Sequence, residues 1–101
     1  MWESIKRLMG TDLTTLDRQK PFRIVQVSDT YLEAYIDTTG RTRRIHRNQI
    51  EAAWECLQKQ GILTRSQIRE EFAQYNPAYV AAILAEQPGV TVELRPITLR
   101  I

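Results

Sequence analysis

Residues 48–90, with the sequence NQIEAAWECLQKQGILTRSQIREEFAQYNPAYVAAILAEQPGV, decide how this chain folds. Apolar residues recur from Ile50 to Leu57 at intervals of three and four, the spacing that places them on one face of a helix. Gly61 follows where a helix C-terminal cap belongs, and Ile62-Leu63 is a short apolar step suited to an extended segment. With the apolar stripes that come after, this stretch predicts three short helices and a brief strand between the first two.

The starts of these helices are marked by capping sequences. Asn48 with Glu51 and Thr64 with Gln67 have the spacing of a capping box, in which two side chains satisfy backbone N–H groups at the helix start. Asn76-Pro77 predicts the start of the third helix, because asparagine is a favoured cap and proline fits the first helical position.

The residues on both sides of this stretch alternate between polar and apolar, which predicts strands because neighbouring side chains of a strand point to opposite faces. Residues 1–9 instead carry apolar side chains at helical spacing. Residues 11–21 show no clear period and are interpreted as a connection. The predicted strands are residues 22–27, 31–37, 41–46, 90–94 and 97–101.

The predicted fold class is α+β, with a three-stranded antiparallel meander followed by a winged-helix-like three-helix unit with C-terminal strands. At 101 residues the chain has the length of a single domain. We divide it into an N-terminal helix and connection (1–21), the β-meander (22–47) and the winged-helix-like unit (48–101). Trp54 on the first helix, and Val92 and Leu94 on the strand after the third, are expected in the core.

The order of helix, short strand, helix, helix and then strands over residues 48–101 resembles the winged helix-turn-helix superfamily. The Gly61-Ile62-Leu63-Thr64 step is similar to the short strand and helix start of such domains. The resemblance implies DNA binding, with the third helix in the major groove. That helix, however, has no Lys or Arg, and the residues we expect on its free face are mostly small. They are Ala78, Tyr79, Ala81, Ala82, Ala85 and Glu86.

The basic side chains concentrate elsewhere. Four arginines fall within seven residues, Arg41 to Arg47, and Arg65 and Arg69 lie one helical turn apart. Such a cluster favours contacts with nucleic-acid phosphates, although charged side chains on a strand also protect a sheet edge from aggregation. The predicted nucleic-acid-binding residues are Arg41, Arg43, Arg44, Arg47, Arg65 and Arg69.

These patterns favour two alternative functions. The first is a non-catalytic nucleic-acid (DNA) binding protein that uses this arginine-rich patch. The second is a protein–protein interaction module or accessory subunit, including a homodimer formed through the alanine-lined third helix. The net charge of +2 favours neither strongly.

Enzymatic activity has little support in the sequence. Arg41 and His46 have the R-x4-H spacing found in the helical HEPN ribonucleases, but on a predicted strand they would point to opposite faces. One cysteine, Cys56, and one histidine do not make a metal site, and no glycine-rich phosphate loop is present. We therefore expect no catalytic residues, cofactor or metal. Without an apolar segment of membrane-spanning length or a secretory leader, we expect a cytoplasmic protein with no membrane association.

Overall fold

A four-stranded antiparallel sheet occupies the first half of the chain in the computed structural model, which describes residues 1–101. The strands follow one another in the order β1-β2-β3-β4, and a short helix, α1, precedes them. The α+β class and the meander are confirmed. The elements are α1 Trp2–Lys6, β1 Asp12–Thr14, β2 Pro21–Val27, β3 Tyr31–Ile36 and β4 Arg41–His46.

The interpretation of residues 11–21 as a plain connection is wrong in part, because β1 lies within them. Leu13 of β1 pairs with Phe22 of β2, and both side chains are buried. A three-residue strand with a single apolar position shows too little alternation to be recognised in the sequence.

The second half of the chain contains the helices and a smaller antiparallel sheet with the strand order β5-β7-β6. The second of the three helices predicted for residues 48–90, α3 (Arg65–Gln67), continues directly into one π-helical turn, Ile68–Phe72. No helix is both long and apolar enough to cross a membrane. The elements are α2 Arg47–Gln60, β5 Ile62–Thr64, α3 Arg65–Gln67, α4 Pro77–Ala85, β6 Thr91–Glu93 and β7 Thr98–Arg100.

Of the two predicted capping boxes, one is confirmed. The Thr64 hydroxyl accepts from the Gln67 backbone N–H at 3.1 Å, and the Gln67 side chain accepts from the Thr64 N–H at 2.9 Å. The box at Asn48 is wrong, because the cap position of α2 is His46, two residues before Asn48, and it has no side-chain cap. The Glu51 carboxylate instead pairs with the Arg47 guanidinium at 2.7 Å, and does not accept from a backbone N–H as a capping box requires.

Helix α4 is the most buried helix of the molecule. Its residues from Val80 to Leu84 are all buried, because the helix packs against α2, α3 and β1. The expectation that Ala81 and Ala82 form a free face is therefore wrong. Their small side chains let the neighbouring elements approach α4 closely, so an alanine-lined surface for a homodimer does not exist at these two positions.

One continuous core joins the meander and the helices. Trp2 and Ile5 of α1 belong to it, and the Trp2 indole N–H donates to the Ser28 carbonyl at 2.8 Å. Val92 and Leu94 are exposed, against expectation. Val92 lies on the edge strand β6 and Leu94 in the turn after it, while the central β7 supplies buried side chains of the second sheet. Trp54 is half-buried against the core rather than fully inside it.

Candidate nucleic-acid interface

The arginines of β4 are divided between the two faces of the sheet. Arg43 pairs with the buried Ala34 of β3, and residues directly opposite in an antiparallel pair lie on the same face. Arg41 and Arg43 therefore lie on the face that the helices cover, at its open edge. Arg44 and His46 lie on the other face.

Arg43 reaches from β4 to the start of α4. Its guanidinium donates to the Tyr75 carbonyl at 3.2 Å and to the Asn76 side-chain oxygen at 3.3 Å, and lies 5.7 Å from the centre of the Tyr79 ring. The Asn76 side chain makes no capping hydrogen bond to α4. Arg43 has no carboxylate partner.

Arg65 and Arg69 approach the same segment from α3 and its π-helical turn. With Ser66, Pro77 and Ala78 they line a depression of about 230 Å³. Arg69 has no carboxylate partner within ion-pair distance, whereas Arg65 donates to Asp17 at 2.6 Å. Arg43 thus contacts Tyr75, Asn76 and Tyr79, and Arg65 and Arg69 line a depression with Pro77 and Ala78 of the same segment.

Arg41 lies beside Arg43 near the β3–β4 hairpin. The two arginines line a second, open depression of about 530 Å³ together with Thr39 and Thr42. The Arg41 side chain makes no ion pair, and its guanidinium is exposed.

Arg44 is separated from this group. Its guanidinium pairs with Glu33 at 3.0 Å and stacks 3.9 Å from the centre of the Tyr31 ring, on the opposite face of the sheet. These contacts hold the side chain on the sheet surface and neutralise its charge locally.

Arg47 is also separated, because it links three elements of the fold. It pairs with Glu51, donates to the Asp29 carbonyl at 3.0 Å and lies 5.2 Å from the centre of the Trp2 ring. Of the six predicted residues, Arg65 and Arg69 share one depression and Arg41 and Arg43 share another, whereas Arg44 and Arg47 line neither of the two.

Two cations that the sequence reasoning passed over, Arg18 and Lys20, lie next to this group. They come from the β1–β2 connection, which was interpreted only as a polar link. The pattern Asp17-Arg18-Gln19-Lys20 does hold two cations in four residues, but nothing local shows that the connection folds back onto α4. A depression of about 220 Å³ is lined there by Thr15, Asp17, Arg18, Lys20, Arg65, Ala78 and Tyr79.

Asp17 is the carboxylate of this region. Partial burial raises the pKa of Asp17, but hydrogen bonds from the Arg65 guanidinium and from backbone N–H groups outweigh that effect, so its pKa lies below its ordinary value. Asp17 is therefore an anion held in place beside Arg65.

Another depression, about 590 Å³, lies beside the start of α2 and is lined by polar and charged residues that include His46 and Asp29. Arg41 and His46 lie on β4 with five-residue spacing, so their side chains point to opposite faces. Cys56 is a half-buried free thiol. No three His, Cys, Asp or Glu side chains are grouped to hold a metal ion.

Comparisons of this chain with models of protein families, with curated proteins and with solved structures find no match.

Proposed function

We propose that this protein is a non-catalytic nucleic-acid-binding domain that contacts phosphates around the start of α4. The observation that carries the proposal is the approach of Arg43, Arg65 and Arg69 to residues 75–79 from two separate parts of the chain. Arginines that are remote in sequence but approach the same short segment raise the positive potential there, which the net charge of +2 does not show.

The absence of ion pairs at several of the predicted arginines supports the same proposal. Arg41, Arg43 and Arg69 make no ion pair, so no carboxylate has to be displaced when a phosphate approaches them. Arg44 and Arg47 are already engaged by Glu33 and Glu51 and serve the fold instead.

The order of elements adds further support. The proposal keeps the resemblance to the winged helix-turn-helix superfamily, in which α2, α3 and α4 would be the three helices and β6 and β7 the wing strands. Because the core of α4 is buried and the helix carries no Lys or Arg, base reading along its length is not part of the proposal. Phosphate contacts position a protein without reading sequence, so we expect little sequence preference.

The test is fluorescence anisotropy with labelled duplex and single-stranded oligonucleotides at low and at physiological salt. We expect micromolar binding at low salt that weakens steeply as salt rises, because phosphate contacts release counterions. The double variant Arg43→Ala/Arg69→Ala should weaken binding. It should also make the slope of log affinity against log salt shallower by about one to two, the amount that one or two lost phosphate contacts remove. Lys59→Ala is the matched control, because Lys59 pairs with Glu55 on α2, away from this surface. Absence of binding at low salt ends the proposal.

A protein-interaction module is the second candidate, and exposed apolar residues favour it. Leu94 and Ile101 are each about half exposed, and Val92 is exposed beside them on the second sheet. The interaction surface would then be this sheet rather than the alanines of α4. Size-exclusion chromatography with light scattering tests for a homodimer formed through this surface. We expect Leu94→Lys to abolish self-association of the wild-type protein. A wild-type protein that is strictly monomeric would rule out the homodimer.

A further inference from the structure

We infer that Arg18, Lys20, Arg65 and Arg69 line one continuous groove that binds the phosphate groups of a nucleic-acid strand. The inference rests on the proposed function and deepens it, because it adds Arg18 and Lys20 and gives the path that the nucleic-acid backbone would follow. It also identifies Asp17 as an internal competitor for the phosphate at Arg65.

The groove is formed by two depressions that share residues. One is lined by Arg69 and Ser66, the other by Arg18 and Lys20, and both are lined by Arg65 and Ala78. With volumes of about 230 and 220 Å³, the two depressions are of similar size. They run from the π-helical turn after α3, past the start of α4, to the β1–β2 connection.

The charge of the groove fits a polyanion rather than a single small anion. Four cations line it, and Asp17 is the one carboxylate among the lining residues. The cations come from both of its ends, so successive phosphates along a strand can each meet one. Guanidinium groups bind phosphate oxygens through paired N–H donors, and the Lys20 ammonium adds a point charge.

Asp17 already occupies the position that a phosphate would take at Arg65. Its carboxylate accepts from the Arg65 guanidinium at 2.6 Å, as a phosphate oxygen would. An incoming phosphate must therefore displace this carboxylate or share Arg65 with it. Removing the charge of Asp17 should strengthen nucleic-acid binding, although it removes an ion pair of the folded protein.

The experiment measures anisotropy of a short labelled duplex with groove variants and matched controls. Arg65→Ala, Arg69→Ala and the double variant Arg18→Ala/Lys20→Ala should each weaken binding by about tenfold, the change expected when a charge-assisted contact is lost. Arg44→Ala and Lys59→Ala should leave the affinity unchanged, because both cations lie outside the groove in ion pairs.

Asp17→Asn separates a binding role from a structural one. Asp17→Asn and Arg65→Ala both break the same ion pair, so a structural effect would change affinity in the same direction in both. We expect the affinity to rise roughly threefold in Asp17→Asn, since one competing charge is lost, and to fall in Arg65→Ala. Weaker binding by Asp17→Asn would overturn the role of Asp17 as a competitor.

A titration of ¹⁵N-labelled protein with inorganic pyrophosphate makes failure of the groove distinguishable from failure of the proposed function. Shifts at Ser66, Arg69 and Ala78 with no binding of nucleic acid would reject the proposed function and keep a phosphate groove for a small ligand. Nucleic-acid binding that Arg65→Ala and Arg69→Ala weaken but that Arg18→Ala/Lys20→Ala leaves intact would reject the groove and keep the proposed function. If pyrophosphate shifts no groove amide and no oligonucleotide binds, both are rejected.

Discussion

The Arg65 guanidinium donates to the Asp17 carboxylate at 2.6 Å, across 48 residues of sequence. This contact joins α3 to the connection between β1 and β2, and so ties the helical unit to the meander at the surface. It also brings Arg18 and Lys20 next to Arg65. The same ion pair therefore bears on both the fold and the candidate interface.

The Asp17–Arg65 pair should make stability depend on acid pH. Because the pKa of Asp17 in the folded protein lies below its ordinary value of 3.8, the ionised form favours the folded state. That contribution is present above pH 3.8 and is lost as the pH falls through the lower folded pKa. Urea unfolding of the wild type and Asp17→Asn should differ at neutral pH by about 0.5 kcal/mol, a typical value for a partly exposed pair, and converge in acid.

Asp37→Asn is the control for this measurement, because Asp37 makes no ion pair. Its unfolding curve should follow that of the wild type at neutral pH. A difference between the wild type and Asp17→Asn that persists unchanged at the lowest pH would contradict the assignment, since protonation of Asp17 should remove it.

Arg47→Ala should lower stability and leave nucleic-acid affinity unchanged. Arg47 holds Glu51, the Asp29 carbonyl and the face of Trp2, so its loss removes contacts between α1, α2 and the β2–β3 turn. We expect a loss of about 1 kcal/mol, the value of a charge-assisted hydrogen bond reduced for partial exposure. Thermal unfolding and anisotropy on the same samples check it. Arg41→Ala is the contrasting variant, because Arg41 makes no ion pair but belongs to the proposed interface, so its stability should be kept and its affinity lowered. If Arg47→Ala weakened nucleic-acid binding without lowering stability, Arg47 would belong to the interface after all.

The sequence predicted those features that depend on neighbours along the chain. The helix starts at Thr64 and Asn76-Pro77 follow from local hydrogen bonding and proline geometry, and the structure places helices at both. Gly61 has a left-handed backbone, as a residue at a helix C-terminus often does. The meander follows from alternation over six or seven residues per strand.

Features that depend on remote neighbours were missed. Alanines such as Ala81 and Ala82 give the same sequence pattern whether their helix face is exposed or tightly packed. Only the positions of α2, α3 and β1 determine that this face of α4 is buried. Leu13 forms a strand because Phe22 lies opposite it. Arg18 and Lys20 became candidates because the β1–β2 connection folds against α4, which no local pattern reports.

The buried position of α4 predicts a large loss of stability when its core is truncated. Ile83 is fully buried in the middle of the helix, so Ile83→Ala should cost about 2–5 kcal/mol through lost burial and the cavity left behind. Glu86→Ala at the exposed end of the same helix should change stability by less than about 0.5 kcal/mol. Chemical denaturation measures both, and similar small effects would contradict the central place of α4 in the core.

The two capping sequences offer a direct comparison between pattern and structure. Thr64→Ala removes a hydroxyl that accepts from the Gln67 N–H, and should destabilise the protein by about 1 kcal/mol. Asn48 stands three residues before Glu51, as Thr64 stands three residues before Gln67. At Asn48, however, α2 has already begun, and its start has no side-chain cap. The Asn48→Ala variant should therefore be neutral or slightly stabilised, because alanine has the higher helix propensity. Equal losses in the two variants would show that Asn48 caps α2 in solution, and would move the start of that helix by two residues.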